Sequence, residues 1–507
     1  MAQSATLPAD KTAAALFESE LDSSALTRPM WMLWILSAGL IALDGFDFFI
    51  IGIAMPFIQR DFDLSAGWVG AIATAALAGA LVGSLTLGPI TDKVGRQLML
   101  VVDIGLFVIA SAATALAWNA WSLLIFRFLV GVGIGADYPI SVAYITENIP
   151  ARRRGQMVIG AFSFQSIGAL LGALVGWVTI YGFQQIAPAL AITQAWRWML
   201  GVGIILSLLV GGLRLLFLLE SPSYYLAKGN YEAASKAASQ LLEKTIHFEP
   251  ESLSKTEAEE IRTERPKTEG TRTKEVRAKE TRAKEIRTKE AKETANKEQL
   301  NYSDLFAPTY RKQTALASIP WFLQDIATYG IGIFTPAIIA ALVFSSEGDF
   351  LMQEMASAKG AAIANSFLVV GFIFAILLIS KIGRIPLQII GFCGMAAGLG
   401  ILSFAGNSLT LLFSGFILFN LMMNLGPNST TFLLSGEVFP PAIRASGAGL
   451  AGGIAKSGAV LGALCLPILQ ETIGIEGVVR SLALICLLAA IITYSLRSAA
   501  TIKPSLE

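Results

Sequence analysis

One histidine, His247, and three cysteines, Cys393, Cys465 and Cys486, occur in 507 residues. So few ligating side chains exclude a His/Cys metal centre and a disulfide scaffold. A single imidazole also leaves no Ser-His-Asp or Cys-His machinery in the apolar regions. An excess of one charge sign is missing too, since 38 Lys and Arg face 37 Asp and Glu. A nucleic-acid binder would carry a basic surplus. No GxxxxGK phosphate loop ending in Ser or Thr is present, so an ATP-driven pump has no support. Charge of any kind is scarce outside one stretch. Residues 255–298 hold 14 Lys and Arg and 11 Asp and Glu, which is 25 of the 75 charges in 44 residues. The other 463 residues carry 50, about 11%, against roughly 25% in a soluble domain. What is plentiful is apolar surface, at 54% of residues. Such a chain cannot cover itself with polar groups, and lipid is its natural solvent.

Twelve apolar runs are long enough to span a bilayer, near 31–58, 67–90, 98–118, 121–146, 156–181, 198–219, 313–344, 361–380, 385–406, 409–434, 446–470 and 476–497. Backbone groups in lipid must be satisfied internally, and the Leu/Ala/Ile-rich lengths indicate helices, not barrel strands. The expectation is an all-α membrane protein. The first run follows about 30 polar residues and lacks a small-residue cleavage site, so it does not read as a cleaved signal. Cations gather on alternate connections: Lys93 and Arg96, Arg152 to Arg154, Lys381 and Arg384, Arg444, and the long stretch after the sixth run. By the positive-inside rule these connections and both termini face the cytoplasm, with Arg60 and Lys359 as the main exceptions.

The division that follows is a cytoplasmic tail over 1–30, six helices over 31–219, a linker over 220–312, six helices over 313–497, and a tail over 498–507. The linker contains TRTKE, VRAKE, TRAKE and IRTKE in succession, a period of five with almost nothing apolar to place on a face. It reads as a solvated, partly helical tether. The two halves echo each other. GPITDKVGR ends at Arg96 and ISKIGR at Arg384, an offset of 288, and Glu147-Asn148-Ile149-Pro150 returns as Glu437-Val438-Phe439-Pro440, an offset of 290. Two marks at nearly equal offsets indicate a 6+6 repeat, with a cargo site between pseudo-symmetric bundles at mid-membrane.

Ionisable groups inside spanning helices are costly, so each is a candidate for function. Helix 1 carries Asp44 and Asp47 on one face, helix 4 Arg127 and Asp137, helix 7 Asp325 and helix 11 Lys456. Asp103 and Arg214 read as nearer the membrane edges, able to snorkel or pair structurally. Four deep acids face two deep cations, which leaves carboxyl groups free to exchange protons. Polar and aromatic residues surround them. Trp321, Asp325 and Tyr329 are spaced by four; Tyr138 follows Asp137, and Pro139 after it would loosen the helix. Gln165 and Asn428 supply amides. Hydroxyl, amide and indole donors with one lysine suit a small oxyanion better than an apolar ligand. GVGIG at 131–135 lies inside an apolar run and reads as small residues for close helix packing, not as a phosphate cradle.

These residues resemble a known family. GPITDKVGRQ (88–97), with Gly88, Asp92, Gly95 and Arg96, is similar to the loop signature after helix 2 in the major facilitator superfamily, where it acts as a gating motif. The weaker second copy has Ser380 in place of Asp92. RFLVGVGIGADYPISVAYITENIPARRRG (127–155) resembles the sugar-porter-like branch and, within it, the phosphate:proton symporters, whose helix 4 typically reads GGDYPLS. WFLQDIATYG (321–330), GPNSTTFLLSGEVFP (426–440) and GIAKSGAVLGA (453–463) agree with that subgroup, and Leu219-Glu220-Ser221-Pro222 is a variant of its PESP mark. The resemblance spans both halves and omits the linker. It implies the major facilitator fold, with twelve helices in two six-helix bundles. It places phosphate against Tyr138, Gln165, Trp321, Asp325, Tyr329 and Asn428, with Lys456 nearby, and links Asp44, Asp47, Asp137 and Arg127 with proton movement. Ala136 stands where the subgroup has glycine, and Gln324 where it has an apolar residue. The helix 1 stretch ALDGFDFFIIGIAMP is as similar to aromatic-acid:proton symporters.

The expected function is proton-coupled symport of inorganic phosphate by alternating access, in a multi-pass cell membrane protein, with a bacterial inner membrane favoured. The expected partners are a small anion, protons and the lipid bilayer; no metal, cofactor, nucleic acid or enzymatic activity is expected, and the chain reads as a monomer. An organic anion, a sugar or an organophosphate remains an alternative cargo, and a membrane nutrient sensor using the linker as its output a further alternative.

Overall fold

A computed structural model describes the chain over residues 13–94, 96–217, 219–227, 229–248, 302–343, 349–406, 408–439 and 444–500. The repetitive linker segment 255–298 lies outside the described residues. All regular structure among the described residues is helical. The first half comprises α1 (Ala13–Ser23), α2 (Arg28–Phe62), α3 (Ala66–Val94), α4 (Arg96–Ala115), α5 (Ala120–Asn148), α6 (Ala151–Ile186) and α7 (Ala191–Leu216). Two short helices follow, α8 (Pro222–Ala227) and α9 (Tyr231–Leu242). The second half comprises α10 (Arg311–Val343), α11 (Phe350–Ile382), α12 (Arg384–Leu402), α13 (Leu409–Leu425), α14 (Pro427–Glu437) and α15 (Arg444–Ser495).

Among the described residues, nine helical stretches are long and apolar enough on their own to cross a bilayer. Twelve crossings follow once α4 and α5 are added and α15 is divided at its interruption. That interruption is Gly474, at φ 70 and ψ 167. Only glycine adopts such a backbone without strain, so the eleventh and twelfth runs turn back on each other there. The tenth run, expected as one helix, is broken at Gly426 into α13 and α14: Pro427 has no N–H to continue the ladder. The eighth run starts earlier than hydropathy indicates. Asp349 caps α11, accepting from the Leu351 N–H at 3.2 Å, so the helix begins among polar residues that no hydropathy window includes. The sixth run likewise begins at Ala191. Pro139 does not interrupt α5, whose backbone stays helical through it.

The repeat read from the two sequence offsets is visible in the packing. In the first half α2 pairs with α6, α3 with α5 and α4 with α7; in the second, α10 pairs with α15, α11 with α13 and α12 with α15. Arg384 and Glu437, the second-half copies of the two repeat marks, meet as a bidentate ion pair with both contacts at 2.7 Å. The glycine stretch of α5 serves helix packing: a Cβ at Gly131 would lie 1.9 Å from the Ala76 carbonyl oxygen of α3. The halves meet through α2 against α10, α3 against α15 and α6 against α11. α1 is bound to the first bundle: Phe17 and Leu21 are buried, Lys244 reaches Glu20 at 2.8 Å, and the Ala151 N–H donates to Asp22 at 2.8 Å.

Candidate functional site between the halves

A cavity of about 840 Å³ lies between the two bundles. Its inner end is walled by Phe48 and Phe49 of α2 and Tyr329 of α10; its other end reaches Glu18 of α1, Arg154 of α6 and Glu437 of α14, on the face that carries α1. Beyond Phe49 the halves are sealed. A Cβ at Gly52 would lie 1.7 Å from the Ile333 carbonyl oxygen of α10, and the Phe57 and Phe350 rings are 5.0 Å apart. The Arg60 guanidinium rests 3.5 Å over the Phe350 ring. One aromatic pair narrows the other end: Phe162 of α6 stacks on Phe432 of α14 at 4.2 Å and 15°.

Helical spacing delivers the second-half residues together. Trp321, Asp325 and Tyr329 follow one another at four-residue steps, and all three are buried and line the cavity. Lys456 of α15 points between them, with Nζ 3.3 Å from Asp325 Oδ2 and 3.0 Å from the Tyr329 hydroxyl. The Trp321 indole hydrogen-bonds the same carboxylate, and the Gln165 side chain of α6 hydrogen-bonds Tyr329 across the interface between halves. Asn428 lines the same wall. Six of the expected ligands, Gln165, Trp321, Asp325, Tyr329, Asn428 and Lys456, therefore share one cavity. The seventh, Tyr138, and the helix 4 acid Asp137 have side chains outside the described residues, as do Gly88, Asp92, Gly95 and Arg96 of the loop signature.

The acids of α2 part company. Asp44 lines the cavity, whereas Asp47 is absent from its wall and accepts from Arg127 of α5 at 2.7 Å. That pair is buried, Arg127 being 1% exposed, and among the described residues Asp47 Oδ2 and Arg127 Nε have no hydrogen-bond partner. Asp103 and Arg214 do not snorkel, as both are buried. Neighbouring helices cover them, which a membrane-edge argument from sequence position could not anticipate. Asp103 and Asp44 line the same small void between α2, α4 and α5.

Sequence reasoning missed a row of polar side chains that runs from Ser166, Asn424 and Asn428 in the cavity wall to Gln324 and Thr431 behind it. The Thr431 hydroxyl donates to Gln324 at 3.1 Å, Gln324 donates to Asn428 at 3.0 Å, and Asn428 donates to Asn424 at 2.8 Å. Asn424 in turn donates to Ser166 of the first half at 2.7 Å. Its place one turn before Asn428 in LMMNLGPNST was the signal available.

Helices in two pseudo-symmetric sixes, around a central cavity closed at one end, are the architecture of a membrane transporter of the major facilitator type. The chain belongs to the sugar (and other) transporter family, whose model matches residues 32–507. YaaU of Escherichia coli, named as a metabolite transport protein, is 27% identical over 437 residues, covering 86% of this chain and 84% of that protein. A repressible high-affinity phosphate permease of Neurospora crassa is 26% identical, covering 77% of this chain and 68% of that protein. Among solved structures, the proton:xylose symporter XylE superimposes with a TM-score of 0.69 at 19% identity, over 93% of this chain and 96% of that one. This last likeness speaks for the fold.

Proposed function

We propose that the protein is a proton-coupled importer of inorganic phosphate that works by alternating access. One observation carries this reading. Among the described residues the cavity holds a single lysine, Lys456, whose charge is occupied by the Asp325 carboxylate at 3.3 Å, among indole, phenol and amide donors. An anion and Asp325 compete for the same cation. A proton on Asp325 removes the competitor and frees Lys456 and Tyr329 for an oxyanion; loss of the proton restores the pair and repels the cargo. Proton and anion thus enter and leave together, as symport requires. Asp44, in the cavity wall, and the enclosed Asp47–Arg127 pair are the further groups assigned to proton movement, with Asp137 by family resemblance. Phosphate transporters and permeases among the relatives support the cargo.

The cation-rich connections place the face carrying α1 in the cytoplasm, so the cavity opens inward, in a single chain of a cell membrane. Opening outward requires the Gly52–Ile333 and Phe57–Phe350 contacts to part and the end facing α1 to close, by rocking of the halves. The membrane potential adds about 2.3 kcal/mol per charge per 100 mV to the driving force. Labelled phosphate should accumulate in proteoliposomes under an acid-outside gradient and leak out when the gradient collapses. Accumulation of a carboxylate or a sugar without phosphate would reject the reading. A second reading, an organic anion as cargo, is favoured by the cavity volume of about 840 Å³, which exceeds the needs of a phosphate ion. Competition by aromatic acids and organophosphates against labelled phosphate separates the two.

A further inference from the structure

The polar row that starts in the cavity wall has a direction, and a single backbone group sets it. The Leu368 carbonyl of α11 can only accept, and Asn424 Nδ2 donates to it at 2.9 Å. The NH2 side of the Asn424 amide is thereby fixed, so its Oδ1 must face Asn428, from which it accepts at 2.8 Å. The Asn428 NH2 is then on the Asn424 side and its Oδ1 faces Gln324 Nε2 at 3.0 Å. Gln324 Oε1 is left toward the Thr431 hydroxyl at 3.1 Å. No amide in the row can turn over without setting donor against donor or acceptor against acceptor. Gln324 is 0% exposed and does not line the cavity; it occupies the position where the resembled subgroup has an apolar residue. Asn428 spends its only oxygen on Gln324 and one N–H on Asn424, and its second N–H has no partner among the described residues.

We propose that Gln324 and Asn424 are positioning residues that lock the Asn428 amide with its nitrogen as the group offered to cargo. The subsite then reads an acceptor oxygen, as on a phosphate or carboxylate, and not a donor. This rests on the phosphate reading for the identity of the anion, but the amide orientation stands apart from it. The Asn424 bond to Ser166 ties the lock to contact between the halves. The offered N–H is therefore held while the bundles sit as they do here.

The test uses purified full-length protein carrying nitrogen-15 in its asparagine side chains, with inorganic phosphate as the probe. The Asn428 amide resonance is identified by its loss in Asn428→Asp. In Gln324→Met the oxygen of Asn428 loses its donor, so the resonance should shift or broaden as the amide keeps only its Asn424 anchor. The phosphate Kd should rise about tenfold, the scale of one charge-assisted hydrogen bond. Thr431→Val, which removes only the far end of the row, should raise it about twofold. An Asn428 resonance and a phosphate Kd both unmoved in Gln324→Met would overturn the proposal. If Gln324→Met fails to fold, Gln324→Glu carries the same test at a pH high enough to ionise the buried carboxyl, since a carboxylate cannot donate to the Asn428 oxygen and sets acceptor against acceptor there. No phosphate response in the wild-type protein would reject the cargo reading alone, because the Gln324→Met resonance still decides the orientation.

Discussion

At the scale of single residues, the site separates a charge pair set away from the cavity from one that faces it. Asp47 and Arg127 are enclosed away from the cavity, whereas Asp325 and Lys456 form its wall. Opposite outcomes are expected on the two sides of the cavity pair. Lys456→Met should weaken phosphate binding by about ten- to a hundredfold, as loss of a charged donor does. Asp325→Asn imitates the protonated carboxyl, and should keep phosphate exchange across the membrane at every pH while abolishing accumulation driven by a proton gradient. Counterflow and gradient-driven uptake, measured on the same proteoliposomes, tell exchange from accumulation. Removing one member of an enclosed pair strands the other, so Arg127→Met should destabilise the fold by about 3–5 kcal/mol. Adding Asp47→Asn should restore most of that loss, which thermal unfolding in detergent would register. If the single and double variants melt alike, the pair does not stabilise the fold.

At the scale of elements, close approach of helix backbones organises the bundles, and small residues permit it. A Cβ at Gly131 would meet the Ala76 oxygen of α3 at 1.9 Å, whereas one at Gly201 of α7 would meet nothing within 4 Å. Gly131→Ala should lower stability by about 1–3 kcal/mol or more through overpacking. Gly201→Ala should stay within about 0.5 kcal/mol of wild type. Unfolding midpoints of the two variants, compared side by side, check the contrast. Element type and number were legible in the sequence because lipid leaves no choice of backbone: twenty apolar residues must be helical. Element ends were less legible. Asp349 extends α11 through a side-chain cap, and Gly426-Pro427 splits the tenth crossing. Neither capping nor a local break alters mean hydropathy.

For the whole molecule, transport depends on contacts that must form and release in turn. The seal at the far end relies on a backbone approach at Gly52 that has no room for a methyl group. Gly52→Ala should therefore disfavour this arrangement and shift the population toward opening at that end, with uptake reduced at least about tenfold if the shift reaches about 1.4 kcal/mol. A single cysteine introduced as Phe57→Cys, in a background without the three native cysteines, reports it: labelling from the far side should accelerate in the Gly52→Ala protein. Equal labelling rates would show that the seal does not depend on this approach. Phe162 and Phe432, stacked at 4.2 Å, are the matching contact at the end facing α1.

Several features needed no coordinates. Scarce charge dictated a membrane solvent, the nearly equal offsets of Arg96 to Arg384 and Glu147 to Glu437 dictated two like halves, and four-residue spacing aligned Trp321, Asp325 and Tyr329. These are local or periodic properties, and periodicity survives in one dimension. Tertiary structure alone decided which acid meets which cation: Asp47 with Arg127 across 80 positions, Asp325 with Lys456 across 131. It also turned Gln324 from an odd substitution into part of a directed hydrogen-bond row, and showed Asp103 and Arg214 covered by neighbouring helices. Counting charges along a chain gives their surplus, but a hydrogen bond has a direction and a length of about 3 Å, and only the folded arrangement of helices supplies both.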